Sequence, residues 1–541
     1  MTNIVSHFPE TYTPTSNQVD TLKRIEKAFS SGSKFVICNA PTGSGKSLLA
    51  KTLQGVVTPP TPKFIELIKS YAAFKQDYMG NYINAEDCLE EPPHGAFVLT
   101  ITKTLQHQYQ NLFADTSIIK GKSNYTCDVD PNFDVDTAPC LFLSKLKDEC
   151  QSTDRCPYYN ARNEGLISSF SSLNYKMFLA LPVHVKRKNV IICDEASELE
   201  DELVKMFSAD ILYGKLRYCG INYKPLLSDN YEAVRPWLTD IKMQVSDKVD
   251  YITEKVSKSK QTISQVDKIK LTQLRNLNNS LSTVEASWGQ CEYVVDRTAE
   301  GVSLTPLKVN NLSRSIFDHA DRVLLMSATI IDVKNFAKTL GIDDYTFIDV
   351  ESTFDATKSP IYIASKYRLN YSNLPRLLPM IAEEANKICK HHHNQKGIIH
   401  TQNLEICNQL QKKLIGDRFL FRSEKQNNED ILEKHQNMSE PTVLVSPSLT
   451  HGVDLKDDLA RFQIIIKLPF LPLANKRIKR LFDQDKEWYE NKMLNSLVQA
   501  CGRATRSAED YAVTYILDGN ITDVIMRCQN KLPKHFTARF H

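Results

Sequence analysis

The sequence lacks the features that mark membrane and secreted proteins. Its 541 residues contain no uninterrupted apolar run of about eighteen residues, the length that a membrane-spanning helix requires. Residues 1–10 lack the charged, apolar and small-residue regions of a secretory signal. From these absences we expect a cytoplasmic protein with no membrane partner.

A large excess of either charge is also missing. The net charge is +3 and the isoelectric point is near 8.1, so any nucleic-acid site has to be a local groove rather than a generally cationic surface. Hydrophobic residues make up 42% of the chain and charged residues 24%, which argues against a disordered chain. The length is enough for about three to five folded domains.

Cysteine pairs with the short spacing of a structural zinc site are absent. Most of the thirteen cysteines stand alone and are predicted to be core residues, and a reducing compartment disfavours disulfides. Four of them share one segment, with intervals of twelve, nine and five residues: Cys127, Cys140, Cys150 and Cys156. Such intervals suit a metal site built from separate loops. The spacing alone leaves open an iron–sulfur cluster, a zinc site or four unrelated core cysteines.

The strongest positive signal is the stretch of residues 40–47, Ala-Pro-Thr-Gly-Ser-Gly-Lys-Ser, between a buried-strand pattern and a helical pattern. Its glycines allow positive φ and turn N–H groups towards phosphates, its lysine can reach the outer phosphates, and its last serine can hold Mg²⁺. The stretch therefore predicts an ATP-binding loop formed by Thr42, Gly43, Ser44, Gly45, Lys46 and Ser47. The alternative is a Gly/Ser turn that happens to contain a lysine.

Three further residues are predicted to complete the nucleotide site in the N-terminal half. Asp194 and Glu195 follow an apolar strand pattern, and ligands bind at the carboxyl edge of parallel sheets. Asp194 would hold Mg²⁺, and Glu195 would orient or deprotonate the attacking water; the alternative is a surface acidic pair. Gln18, which precedes the helical pattern of residues 19–29, either reads adenine or is a solvated helix-start residue.

Two segments have the composition of a nucleic-acid contact. Thr100 and Thr102 follow the apolar pattern of residues 96–99, where hydroxyls and helix N–H groups can hold a phosphodiester backbone. Lys122 and Tyr125 place a cation near an aromatic ring, which suits a single strand. These four residues are predicted to contact single-stranded nucleic acid.

The C-terminal half predicts a second α/β domain, because apolar runs alternate with helical patterns at residues 397–401, 442–446 and 462–466. Asp454 follows one run, and a later helix carries Gln499, Arg503 and Arg506. The two arginines are three residues apart, hence on one helix face. From there they could hold a triphosphate at the domain cleft; the alternative is a solvated basic helix.

The triplet His391, His392 and His393 stands at a predicted helix end. Histidine is a common metal ligand, but nothing else in this segment supports a metal site. We expect none there.

Taken in order, these motifs resemble the DinG/XPD group of superfamily 2 helicases. The resemblance runs from Gln18 to Asp518 and includes Ser327-Ala328-Thr329; it leaves out residues 59–93 and the C-terminal tail. It implies an α/β fold with two RecA-like P-loop motor domains, the first interrupted by an iron–sulfur insert and a helical arch. It also implies that the four clustered cysteines hold a [4Fe–4S] cluster.

The resemblance also implies domain boundaries. The first motor domain would take residues 1–115, 166–205 and 291–345. The iron–sulfur insert would take residues 116–165, the arch residues 206–290 and the second motor domain residues 346–541.

By resemblance, the expected activity is ATP-dependent translocation of a monomer along single-stranded DNA, 5′ to 3′, with unwinding of tailed duplex DNA. The residues expected to carry ATP hydrolysis are Lys46, Asp194, Glu195, Gln499, Arg503 and Arg506, and the nucleotide would also meet Gln18 and Asp454. The alternative is a translocase, remodelling factor or nuclease-associated factor that does not unwind.

Three features of the sequence depart from the pattern of this helicase group. Ser197 stands where the group usually has histidine, which predicts altered coupling between ATP and DNA. His451 precedes Gly452 where an acidic residue is common, and the cysteine intervals differ from those of both branches of the group.

Overall fold

The computed structural model describes residues 3–77, 79–141, 143–259, 263–352, 355–423, 428–447, 455, 457–504 and 510–541. The strands within these ranges are β1 (Phe35–Asn39), β2 (Ala96–Thr100), β3 (Ser117–Ile119), β4 (Phe170–Asn174), β5 (Lys188–Cys193), β6 (Ala209–Leu212), β7 (Tyr293–Arg297), β8 (Gly301–Pro306), β9 (Ala320–Ser327), β10 (Thr346–Asp349), β11 (Ile361–Ile363), β12 (Gly397–His400), β13 (Phe419–Phe421), β14 (Val443–Ser446), β15 (Phe462–Ile465) and β16 (Val513–Ile516).

The α-helices are α1 (Ser16–Ser30), α2 (Lys46–Thr52), α3 (Pro62–Lys69), α4 (Ala85–Glu90), α5 (Lys103–Leu112), α6 (Ser144–Ser152), α7 (Pro157–Ile167), α8 (Tyr175–Ala180), α9 (Leu199–Met206), α10 (Tyr213–Cys219), α11 (Tyr231–Ser259), α12 (Gln265–Ser287), α13 (Arg314–Phe317), α14 (Val333–Thr339), α15 (Leu374–His391), α16 (Leu404–Gln411), α17 (Asn428–Asn437), α18 (Lys476–Gln484), α19 (Lys486–Cys501), α20 (Ile521–Cys528) and α21 (Lys534–Thr537). Among the described residues, every helix is too short or too polar to cross a bilayer.

The first sheet has seven parallel strands in the spatial order β10–β1–β9–β5–β2–β4–β3. Its central strands are continuous apolar runs because both faces are covered. Within β1, Val36 and Cys38 enter one hydrophobic core while Ile37 enters the core on the opposite face. The carboxyl ends of β1, β5 and β9 meet at one edge, and this edge carries the loop of residues 40–47, Asp194 and Ser327.

The second sheet has six parallel strands in the order β11–β16–β15–β12–β14–β13. The three apolar runs predicted in the C-terminal half form its strands β12, β14 and β15. The chain therefore folds into two α/β domains with parallel sheets, and the predicted fold class is confirmed.

The first sheet extends beyond the predicted ranges of the first motor domain at two places. β10 pairs with β1 through the contact of Val36 with Thr346, so the first domain reaches Asp349 rather than residue 345. β3 pairs with β4 at the opposite edge, so residues 117–119 belong to this sheet rather than to the iron–sulfur insert. Both strands are short and lie at sheet edges, where the sequence pattern is weak.

The prediction of a purely helical arch is wrong, because the arch also contains a sheet. β6, β8 and β7 form a three-stranded antiparallel sheet that shares one hydrophobic core with α10, α11 and α12. The hairpin of β7 and β8 therefore belongs to the arch, and not to the first motor domain as the predicted range of residues 291–345 implies. Its partner β6 lies far away in the sequence, which hides the pairing from local pattern analysis.

The segment of residues 59–93 packs beside α7, the helix that follows Cys156. Tyr71 meets Tyr159 edge-on, with ring centroids 6.0 Å apart, and the Arg162 guanidinium lies 3.4 Å from the centre of the Phe74 ring. This segment, for which the sequence suggested no chemistry, therefore supports the helix beside the cysteine-rich insert.

Candidate nucleotide site between the two domains

The loop of residues 40–47 has the backbone geometry that its glycines predict. Gly43 and Gly45 have φ of 82° and 81°, in the left-handed region that other residues adopt at a cost. Helix α2 begins directly afterwards at Lys46. The Lys46 Nζ lies 3.8 Å from Glu195 Oε1, and the Lys46 side chain is 15% exposed. The loop thus brings its lysine to the acidic pair that follows β5.

Asp194 is held by two hydrogen bonds at the bottom of this site. Its Oδ1 accepts from the Glu195 backbone N–H at 3.0 Å, and its Oδ2 accepts from the Tyr109 hydroxyl at 3.0 Å. Burial, together with the neighbouring Glu195 carboxylate, raises the pKa of Asp194 to about 6. Such a buried carboxylate calls for a compensating cation, which suits the predicted magnesium ligand.

Tyr109 is a residue of this site that the sequence analysis missed. It lies on α5 and is 1% exposed. Burial is the main cause that raises the pKa of its hydroxyl well above the ordinary value, and the negative charge of Asp194 is the second cause. The tyrosine therefore stays protonated and donates to Asp194. Its position in a helical pattern resembles that of any core aromatic, so no local signal distinguished it.

The structure brings residues of both domains to one cavity of about 380 Å³. Thr42 to Ser47, Asp194 and Glu195 line it from the first domain, and Arg503 lines it from the second. An adjoining cavity of about 80 Å³ is lined by Thr42, Glu195, Gln499 and Arg503. Lysine, two carboxylates and an arginine around one cleft can bind and hydrolyse a nucleoside triphosphate.

Gln18 is buried rather than solvated, so that alternative is wrong. Its Nε2 donates to the Ser44 carbonyl at 3.0 Å, and its Oε1 accepts from the Thr15 backbone N–H at 2.9 Å. Thr15 and Gln18 form a capping box at the start of α1. Gln18 therefore supports the phosphate loop directly, and adenine recognition by it stays a prediction.

Ser197 joins three motifs that are distant in the sequence. Its hydroxyl accepts from the Ser327 hydroxyl at 2.9 Å and from the Gln499 side-chain amide at 3.0 Å. Ser327 ends β9 in the first domain, and Gln499 lies on α19 in the second. Ser197 thus makes a direct bridge across the domain cleft.

If a single strand stimulates ATP hydrolysis in this cleft, as the motifs predict, we expect Ser197→Ala to weaken that stimulation about fivefold, the effect of losing the Gln499–Ser197 hydrogen bond of roughly 1 kcal/mol. The measurement is phosphate release with and without DNA. Ser313→Ala is the matched control, because Ser313 is buried in the first domain and donates to Leu340 O at 2.7 Å away from the cleft. Unchanged stimulation in Ser197→Ala would show that this bridge transmits nothing.

A buried ionic cluster clamps the two domains together beside this bridge. Glu200 of α9 accepts from Arg477 at 2.7 Å and from the Trp488 indole at 3.0 Å, and it pairs with Lys492 at 2.9 Å. Burial alone would raise the pKa of Glu200, but Lys492 and Arg477 lower it to about 2. Removing one partner of a buried pair is costly, so the cluster fixes the relative position of α9 and the pair α18–α19. No local sequence pattern indicates this cluster.

The four clustered cysteines lie together in the insert. Cys127, Cys140, Cys150 and Cys156 are all buried and line one small cavity. Burial is the main cause that raises the pKa of Cys140 to about 11, and the charges of the three neighbouring cysteines raise it further. The four thiols are therefore neighbours, and all four also belong to the hydrophobic core of the first domain. Within the part of the chain that the structure describes, no three His, Cys, Asp or Glu side chains converge as ligands of a single metal ion.

Comparisons with known proteins agree with this geometry. Residues 387–539 match the family described as Helicase C-terminal domain. A solved structure named XPD helicase matches with a TM-score of 0.66 at 16% identity, covering 98% of this chain and 99% of that one. The fold is that of the XPD helicases. An XPD structure named as the apo form matches with a TM-score of 0.59 at 14% identity, covering 95% of this chain and 98% of that one.

A third XPD structure, Xpd4 of S. tokodaii, matches with a TM-score of 0.57 at 13% identity and covers 95% of this chain and 98% of its own. No curated protein matches this chain in sequence. The resemblance to the XPD-like helicases that the motifs predicted is therefore confirmed at the level of fold and of the C-terminal domain.

In this XPD-like fold, the side chains predicted to contact nucleic acid are already engaged. Thr100 is fully buried and its hydroxyl donates to Thr102 O at 3.2 Å, so a direct strand contact by Thr100 is not supported. Thr102 caps α5 by accepting from the Leu105 N–H at 3.3 Å. A strand at this edge would instead meet the exposed residues Lys103 and Thr104.

Lys122 and Tyr125 both pack on Tyr158. The Lys122 ammonium lies 5.7 Å from the Tyr158 ring centre, and the Tyr125 ring meets it edge-on at 5.8 Å. The Tyr125 hydroxyl also accepts from the Lys120 N–H at 3.2 Å. These contacts leave the stacking role of Tyr125 a prediction.

Several predicted residues fall outside the described ranges. Arg506, Asp454, His451 and Gly452 are among them, and their roles stay predictions. The histidine triplet is described, and His392 has both ring nitrogens in contact with protein groups, one with Gln395 Oε1 at 2.6 Å and one with the Tyr515 hydroxyl at 3.0 Å. That histidine therefore has hydrogen-bond partners within the protein.

Proposed function

We propose that this protein is an ATP-driven DNA helicase that moves 5′ to 3′ along single-stranded DNA and unwinds duplex DNA. The observation that carries this proposal is the single cleft shared by Lys46, Asp194 and Glu195 of the first domain and Arg503 of the second. A site divided between two domains ties hydrolysis to their relative motion. The DNA substrate and the polarity rest on the resemblance to the DinG/XPD group.

The roles of the residues follow from their places around the cleft. The loop N–H groups and Lys46 would bind the phosphates of ATP, and Glu195 would orient the attacking water. Arg503, with Gln499 and Arg506 on the same segment, would compensate the charge that develops on the transferred phosphate. Ser47 and Asp194 would hold Mg²⁺, which neutralises charge on the phosphate oxygens when bound.

The hydrogen-bonded bridge through Ser197 to Ser327 and Gln499 would couple the presence of ATP or its product in the cleft to the surface that binds nucleic acid. It joins the residues that follow Glu195 to the end of β9 and to α19. Opening of the cleft would break the Ser197–Gln499 hydrogen bond, so the bridge has two discrete states that ATP can bias.

We further propose that Cys127, Cys140, Cys150 and Cys156 hold a [4Fe–4S] cluster. The donor set fits, because four buried thiols line one cavity and thiolates are the ligands of such clusters. The same four thiols could also hold zinc, so the preference for iron–sulfur rests on the resemblance to the DinG/XPD group. When bound, the cluster would cross-link loops that have little core of their own.

Replacing one ligand should separate unwinding from ATP hydrolysis. In Cys150→Ser we expect loss of iron and a loss of strand displacement of about tenfold or more, with DNA-stimulated ATPase reduced less, because second-shell and ligand losses typically cost roughly 10- to 100-fold at metal sites. Metal analysis, ATPase and strand displacement on one preparation check this. Cys219→Ser, a buried cysteine of the arch, is the control.

Three outcomes of that experiment correct the account in different places. Normal unwinding by Cys150→Ser would remove the cluster's role. Zinc in the wild type would keep the four-thiolate site and discard the iron–sulfur assignment. A wild type with neither metal would discard the site.

The helicase proposal itself is tested by strand displacement on a 5′-tailed duplex, with 3′-tailed and blunt duplexes for comparison. ATP-dependent release of the strand from the 5′-tailed substrate alone is expected. If no duplex is unwound but the protein displaces streptavidin from a biotinylated single strand, it is a translocase without productive unwinding. The monomeric state and cytoplasmic location stay predictions.

A further inference from the structure

The C-terminal segment, residues 534–541, reaches the nucleotide cleft. The motif resemblance ends at Asp518, so no role was assigned to this segment. In the structure, His535, Phe536 and Arg539 line the cavity of about 80 Å³ together with Thr42 and Arg503. The end of the second domain therefore forms part of the wall opposite the phosphate loop.

Arg539 holds the end of helix α19, which carries the cleft residues. Its Nη2 donates to the Cys501 carbonyl at 2.9 Å and its Nε donates to the Ser359 carbonyl at 2.7 Å. Cys501 is the last residue of α19, and only Gly502 separates it from Arg503. The last carbonyls of a helix lack intrahelical partners, and a cation there is favourable.

The Cys501 carbonyl is held from a second side as well. Gln463 of β15 donates to it from its side-chain amide at 2.9 Å. Two donors on one carbonyl, one from the sheet and one from the C-terminal segment, fix the point at which the chain leaves α19. Gly502, which follows, has a helical conformation, and the Arg503 N–H donates to Ala500 O at 3.2 Å, so the turn that carries Arg503 extends directly from the held carbonyl.

The guanidinium is not needed to anchor the C-terminal segment. Phe536 is 1% exposed in the same core as Leu497 and Cys501, and the segment pairs through backbone hydrogen bonds with Ile361. Arg539 itself is 7% exposed, and a buried cation is costly unless it serves specific partners. The two carbonyl contacts are interactions of the guanidinium that a methionine of similar length would not supply.

We propose that Arg539 is a positioning residue for ATP hydrolysis, which acts by fixing the Cys501 carbonyl and with it the entry of Arg503 into the cleft. The inference rests on the proposed function, because it assumes that Arg503 acts on ATP. Loss of the guanidinium leaves the nucleotide-binding loop untouched. The effect is therefore expected in the turnover number and not in the affinity for ATP.

The test is a double-mutant cycle on steady-state ATP hydrolysis with saturating single-stranded DNA. Arg539→Met should lower kcat about 10- to 100-fold, the effect of misplacing a catalytic group by about 1 Å, while KM for ATP changes less than about threefold. The double variant Arg539→Met/Arg503→Ala should be no slower than Arg503→Ala alone, because Arg539 acts through Arg503.

The matched control is Arg418→Met. Arg418 also donates to carbonyls at a helix end in the second domain, to Cys389 O at 2.9 Å and to His392 O at 3.1 Å, where α15 ends. It does not line the nucleotide cleft. Arg418→Met should lower the melting temperature to a similar extent and keep kcat within about twofold of the wild type.

Each outcome has a distinct meaning. A kcat for Arg539→Met within twofold of the wild type, independent losses in the double variant, or an equal kcat loss in Arg418→Met would each overturn the positioning role. If Arg539→Met does not fold, Arg539→Lys decides by the same cycle, with a smaller kcat loss expected that again vanishes without Arg503. Wild-type kcat in Arg503→Ala would instead refute the cleft assignment in the proposed function.

Discussion

Lys46→Ala is expected to lower ATP turnover about a thousandfold or more, because it removes the cation that we propose binds the transferred phosphates. The fold should survive. Lys46 is the first residue of α2, and its Nζ lies 3.8 Å from Glu195 Oε1 of the same domain. The measurement is phosphate release at saturating ATP and single-stranded DNA, with a thermal melt of the same sample.

The control for this variant is Lys27→Ala, an exposed lysine on α1 outside the cleft. It should leave both turnover and the melting temperature unchanged. Turnover near the wild-type rate in Lys46→Ala would mean that the loop of residues 40–47 does not bind the triphosphate. A large fall in melting temperature would instead assign the lysine a structural role.

Arg503→Ala is expected to have an effect of similar size from the other side of the cleft. Arginines that act on transferred phosphoryl groups contribute about a thousandfold or more to the rate, and Arg503 lines the same cavity as Lys46 and Glu195. Because the phosphate loop stays intact, KM for ATP should change little. Steady-state kinetics and a DNA-binding titration on one preparation check both points.

Arg368→Ala is a suitable comparison, because Arg368 belongs to the same domain, pairs with Asp523 at 2.9 Å and is exposed. It should hydrolyse ATP normally. If Arg503→Ala lowered DNA affinity but kept the maximal ATPase rate, Arg503 would belong to a nucleic-acid groove. The proposed nucleotide site would then need a different residue of the second domain in place of Arg503.

The parts of the structure that could be predicted are those encoded locally. β1, β2, β5 and β9 were recognisable because strands buried on both faces are continuous apolar runs. The phosphate loop, with its fixed order of glycine, lysine and serine, carries its own geometry. Each such motif follows a parallel strand, so the fold class predicts that the motifs lie together at the carboxyl edge of the sheet.

What could not be predicted depends on contacts between distant segments. Tyr109 supports Asp194 from a helix that reads as an ordinary core helix, and Glu200 meets Arg477 only once the two domains have docked. The same holds for β6, a strand of four residues whose partner β8 lies far along the chain. Local periodicity carries no information on these pairings, which the tertiary fold decides.

The arch also shows how the second domain reaches beyond its own sheet. Val294 and Leu307 of the arch side pack with Leu481 and Trp488 of α18 and α19. The helix pair that carries Gln499 therefore contacts the arch as well as α9. Movement of the second domain would therefore displace its contacts with both the arch and α9.

The central claim, that two domains form one ATP site that responds to a single strand, is tested most directly by the ATPase rate of the wild-type protein with and without single-stranded DNA. The account predicts magnesium-dependent hydrolysis that single-stranded DNA raises several-fold and that Lys46→Ala and Arg503→Ala each abolish. Hydrolysis that no nucleic acid stimulates, or that survives both substitutions, would contradict it.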